Sequence, residues 1–69
     1  MSETKRYAVD PESIEAYRIR VLFHCEELQR ETNPSIRATI ALYLADAATT
    51  LARLEAEEAR KVAPTAYLA

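Results

Sequence analysis

Apolar residues recur at spacings of three and four along two stretches of the chain: Ile14, Tyr17, Val21, Cys25 and Leu28, then Ile36, Ile40, Tyr43, Leu44, Ala47, Leu51 and Leu54. That is the period of one helix face, so two amphipathic helices are predicted, with their stripes zipped against each other. Asp10-Pro11-Glu12 reads as the first helix start. Asp10 caps free amides, Pro11 takes the first helical position where its missing N–H costs nothing, and Glu12 suits the positive end of the dipole. Val9 and Ile14 then stand at the two positions of a hydrophobic staple. Asn33-Pro34-Ser35 reads as the second start, and the proline disfavours helical geometry at Asn33. Pro64 stops the second helix in the same way at Ala63.

The helices are thus predicted over about residues 11–31 and 34–62, rods of roughly 32 and 43 Å at ~1.5 Å per residue. So short a connection folds them back antiparallel. The rival arrangement, one continuous kinked helix, would place Pro34 inside the helix and remove an internal hydrogen bond. The expected fold is all-α: one domain over residues 1–69, an antiparallel two-helix hairpin that dimerises into a four-helix bundle. Met1 to Ala8 and Thr65 to Ala69 carry no helix signal and are expected to be short flexible tails, with Tyr7, Tyr67 and Leu68 able to fold onto the bundle.

Composition sharpens this picture at a few points. The chain contains no glycine, the residue that tight β-hairpins and phosphate loops recruit for positive φ, so β-structure is not expected. At 69 residues it buries little apolar surface unless another chain helps. Cys25 is the lone cysteine, which rules out an internal disulfide and suits a reducing compartment, the cytoplasm of the cell in which the protein acts. Charge interrupts every apolar stretch, so no membrane span or signal peptide is expected. A net charge of −2 with both signs interleaved is too mild for a polyanion binder or a DNA mimic.

Each helix also has a second apolar surface that one hairpin cannot bury. On the second helix Ala41, Ala45, Ala48, Ala52 and Ala59, flanked by Ala38 and Ala56, form a stripe that admits another helix at close range. A two-fold dimer is the expected use of that stripe, against the plainer reading of alanine as a good helix former. On the first helix Ile19 and Phe23 stand nearly opposite the core stripe, with Leu22 between the two faces and Glu26 and Arg30 alongside. This patch reads either as dimer core or as a partner-binding face, an aromatic anchor beside arginine having the make-up of an interface hot spot. The partner-binding candidates are Ile19, Phe23, Glu26, Arg30 and, near the hairpin tip, Arg37. Tyr17 and Tyr43 at core spacing read as core with their hydroxyls at the edge, and Cys25 as a small hydrophobe.

Catalytic chemistry is not expected. His24, Glu27 and Glu31 share a helical face, but one histidine with two surface carboxylates is common on amphipathic helices, and no metal or other cofactor is expected. There is no glycine-rich phosphate loop, no Ser/His/Asp set and no cysteine cluster. Nucleic-acid binding is not favoured, because the second helix is long, alanine-rich and sparsely basic, unlike a recognition helix. A Rop-like four-helix-bundle RNA binder of the plasmid copy-control type, with Arg18 or Arg20 supplying basic groups, stays open beside a purely structural adaptor.

With the two starts at Asp10-Pro11 and Asn33-Pro34 and the alanine face, the chain resembles, over Asp10 to Val62, the small early-gene anti-quorum-sensing products of Mu-like Pseudomonas phages. The resemblance lies in size and layout. It implies a dimeric helical hairpin that blocks the DNA-binding region of a LuxR-type quorum-sensing activator and also disables a type IV pilus assembly ATPase. The expected function is then stoichiometric sequestration of a host regulator in the bacterial cytoplasm, without enzymatic activity.

Overall fold

The chain folds as two antiparallel helices, α1 (Ile14–Arg30) and α2 (Pro34–Val62), over residues 9–62, the part that this computed structural model describes. The expected tails at Met1 to Ala8 and Thr65 to Ala69 lie outside the described residues. α2 begins at Pro34, as expected, and the stop expected at Ala63 and Pro64 lies outside the described residues.

The start of α1 differs from the expectation. Asp10 to Ser13 form a turn rather than a first helical turn, and the helix begins at Ile14 with Ser13 as its cap. Asp10 Oδ1 accepts from the Glu12 amide at 2.9 Å, while its carbonyl accepts from the Ser13 amide at 3.0 Å and the Ser13 hydroxyl at 2.7 Å. Ser13 Oγ in turn accepts from the Ala16 amide at 3.2 Å. The physical reason is that Pro11 fits the second position of a β-turn as well as the first position of a helix, and Asp is favoured just before it in both. Ser13, three residues on, is an equally good cap. With the start moved, Val9 and Ile14 no longer occupy staple positions.

The hairpin bend needs no glycine. Among the described residues none has positive φ. Glu31 leaves α1 with extended backbone at φ −79° and ψ 134°. Asn33 caps α2 through Oδ1, which accepts from the Ser35 amide at 2.9 Å and the Ile36 amide at 3.4 Å. The exposed carbonyls at the end of α1 are met from across the bend, where the Arg37 guanidinium donates to the oxygens of Leu28 and Glu31, the latter at 2.9 Å. A positive group there also answers the negative end of the α1 dipole.

The core is one seam between the two helices. Ile14, Tyr17, Val21, Cys25 and Leu28 are half-buried against Leu44, Leu51 and Leu54, with Ile40 (9% exposed) and Ala47 (4%) the only buried residues among those described. Two residues expected in this seam are not in it. Ile36 is 47% exposed and Tyr43 57% exposed. Both lie on the flank of the α2 stripe, and a single facing helix covers a narrower arc than the apolar pattern of α2 spans. In the seam beside them stands His24, its ring centroid 6.1 Å from that of Tyr43.

Candidate interaction surface

The outer face of α1 carries Ile19, Leu22 and Phe23, which are 58%, 65% and 52% exposed. Glu26 and Arg30 continue the same side, and both are exposed. The intervals 19, 22, 23, 26 and 30 keep all five on one side of a 3.6-residue helix, away from the seam. Glu26 and Arg30 take part in none of the ion pairs formed among the described residues. The face therefore offers an aromatic anchor, two branched aliphatics and one free charge of each sign. Full burial of side chains of this size is worth ~1.5–3 kcal/mol each, and covering the part still open here is worth roughly half of that.

Arg37 is placed differently from the other four partner-binding candidates. It belongs to α2, and its guanidinium is engaged on the α1 carbonyls. Next to it, at the bend, lies an open depression of about 320 Å³ lined by Glu27, Arg30, Glu31, Ile36 and Ile40. Through Arg30 this depression adjoins the outer face of α1.

On α2 the alanine stripe divides. Ala41, Ala45 and Ala52 are exposed, as are Ala38 and Ala56, whereas Ala48 and Ala59 are half-buried. Leu42, 67% exposed, stands on the far side of α2 with Thr49, whose hydroxyl donates to the Ala45 carbonyl at 2.8 Å.

The polar groups nearer the seam hold the hairpin together. Arg18 reaches across from α1 to Glu55 of α2 in a two-pronged pair, Nε to Oε2 at 2.6 Å and Nη2 to Oε1 at 2.9 Å. The hydrogen bond from Arg18 holds the Glu55 carboxyl below the ordinary glutamate value, and the same bond raises Arg18 further. Arg20 stacks over the Tyr17 ring at 4.3 Å and donates to the Pro11 carbonyl at 3.1 Å, tying the entry turn to α1. His24 Nδ1 lies 2.8 Å from Glu27 Oε1, and because a carboxylate only accepts, this nitrogen carries the proton.

Glu31, the third member of the set that invited a metal reading, accepts from the Asn33 amide at 3.1 Å through Oε2. Among the described residues no three histidine, cysteine, aspartate or glutamate side chains converge into a metal-binding group. Nor is any helix among them long and apolar enough to cross a membrane. Sequence reasoning missed the structural work of Ser13, Arg20 and Arg37. The signal for Ser13 was present in its type and position, whereas the arginines reach backbone carbonyls six and nine residues distant, which no local pattern reveals.

Comparison with protein families, with curated proteins and with solved structures finds no match for this chain.

Proposed function

We propose that the hairpin is a non-enzymatic, protein-binding inhibitor that acts as a homodimer and sequesters a regulator of a bacterial host. The observation that carries this reading is the disposition of apolar side chains. Among the described residues only Ile40 and Ala47 are buried, while Ile19, Leu22 and Phe23 stand open on a regular helix beside unpaired Glu26 and Arg30. A rigid helix face with an aromatic anchor and a mixed-charge rim suits a protein target, in which apolar contact supplies affinity and the rim supplies register. The resemblance to phage anti-quorum-sensing products supplies the target class, the DNA-binding region of a LuxR-type transcription activator, with a type IV pilus assembly ATPase as a second target. Inhibition would follow from occupancy, since a regulator whose DNA-reading helix is covered cannot reach its promoter.

The nucleic-acid alternative is weakened by the two arginines it would use. Arg18 is neutralised by Glu55, and Arg20 is spent on Tyr17 and the Pro11 carbonyl. Neither is presented as a free phosphate ligand.

The test uses a purified LuxR-type activator on its promoter DNA, titrated with wild-type protein and with Phe23→Asp. Wild type is expected to release the DNA at a stoichiometric ratio, and Phe23→Asp to fail at tenfold excess while keeping the helix content and oligomeric size of wild type. Release by both proteins alike would remove the α1 face from the mechanism. Direct, salt-sensitive binding of the hairpin to the DNA would favour the nucleic-acid alternative instead.

A further inference from the structure

The hairpin has two open sides, and the Arg18–Glu55 pair and the His24–Tyr43 contact mark one each. Leu22 stands one turn beyond Arg18 on α1. Ala48, Ala52 and Ala59 stand seven and three residues before Glu55 and four after it on α2. Because i±4, i±3 and i±7 share a face, these residues all line the Arg18–Glu55 side. The other side carries His24 and Tyr43. Leu22 therefore separates from Ile19 and Phe23: it borders the alanine stripe, whereas those two point outward from α1.

The two helices also share a midpoint on this side. Leu22 is the middle residue of the 17 in α1, and Ala48 is the middle residue of the 29 in α2. Two of the cross-helix contacts, Arg18 to Glu55 and His24 to Tyr43, bracket Leu22 on one helix and Ala48 on the other, so the midpoints lie at one level of the hairpin.

We infer that a second copy of this chain covers the Arg18–Glu55 side, related by a two-fold axis that lies in the interface, perpendicular to the helices, and passes beside both Leu22 and Ala48. This rests on the homodimer proposed above and assigns its geometry. An axis at the shared midpoint gives both helices their maximal antiparallel overlap, α1 on α1 and α2 on α2. Leu22 then meets Leu22 of the partner subunit, and Ala48 meets Ala48 of the partner subunit.

Area and charge both favour this occupant. With two buried residues among those described, the hairpin lacks the core an independent domain of this size needs, and a stable dimer needs ~800 Å² per partner, for which a face running along both rods is the longest one on offer. The antiparallel axis also brings residues equally distant from Leu22 together. Four before it is Arg18 and four after it is Glu26, so each protomer sets Arg18 beside Glu26 of the partner subunit, twice by symmetry. Glu26, exposed and unpaired within one chain, thereby gains a partner. Ile19 and Phe23 remain on the outside with Arg30, so the dimer presents two copies of that part of the α1 face, while Leu22 and Glu26 enter the dimer contact.

The test is self-crosslinking of the full chain in a Cys25→Ser background, with single cysteines placed by Leu22→Cys, Ala48→Cys, Phe23→Cys and Leu42→Cys. A residue beside a two-fold axis meets its own copy within disulfide range. Under mild oxidation Leu22→Cys and Ala48→Cys are expected to form dimers at least about tenfold faster than the other two. Faster pairing at Phe23→Cys or Leu42→Cys overturns the assigned side while leaving a dimer in place. Light scattering that finds wild type monomeric at millimolar concentration overturns the homodimer itself. Glu26→Arg, which sets arginine against Arg18 of the partner subunit, is expected to weaken dimerisation about tenfold. Unchanged dimerisation of that variant overturns the antiparallel register.

Discussion

Arg18 and Glu55 form a two-pronged ion pair across the seam, and its consequence is a pH dependence with a definite sign. Glu55 is held below its ordinary value of 4.5, chiefly by the hydrogen bond from Arg18. A carboxyl depressed in the folded state contributes stability that is fully present above the unfolded value and is lost as pH falls through the folded one. The stability gap between wild type and Glu55→Gln is therefore expected to be constant at neutral pH and to close as acid is added below 4.5, which thermal melts at stepped pH read directly. Both side chains are about half exposed, so salt is expected to narrow the same gap at neutral pH. A gap that stays open at low pH would mean that Glu55 acts through packing alone.

At the scale of the element, the ends of the helices decide where each begins. Ser13 receives the Ala16 amide and so caps α1, while Asp10 organises the turn that precedes it. Ser13→Ala is expected to cost about 1 kcal/mol, a fall in melting temperature of roughly 4–8 °C, with Asp10→Ala costing less. The opposite order in circular dichroism melts would move the functional helix start back to Pro11. At the other end Arg37 and Asn33 do together what glycine does in many helix termini: one satisfies the last carbonyls of α1, the other the first amides of α2. This is how a chain without glycine reverses direction in three residues.

For the whole molecule, the thin seam is the governing fact. Only Ile40 and Ala47 are buried among the described residues, a thin core for a chain of this size, and in the proposed homodimer the second copy supplies further burial. Melting temperature is therefore expected to rise with protein concentration, by mass action, over a range from micromolar to millimolar. A melting temperature independent of concentration across that range would show that one hairpin carries its own stability and would count against the homodimer. The same thinness suits an inhibitor that presents helical side chains on a rod, since most of each helix is surface.

The sequence by itself determined the hairpin: the start of α2, the antiparallel return, the apolar seam and the solvent-facing Ile19 and Phe23 are all visible in helical periodicity and in the prolines. These are local properties, set by the backbone of each residue and by which neighbours share its face. The tertiary structure decided what depends on distant partners or on competition between equal local signals. Asp10 and Ser13 were both good caps, and the turn between them gave the helix start to Ser13. Tyr43 and Ile36 had core spacing, but one facing helix is too narrow to cover them. Arg37 had the look of a tip residue free for a partner, and only the return of α2 beside the end of α1 brought it to the Leu28 and Glu31 carbonyls. Leu22 lay between two faces on the wheel, and it was the crossing of Arg18 to Glu55 that placed it on the alanine side, because periodicity orders residues around each helix and says nothing of how two helices are turned toward each other.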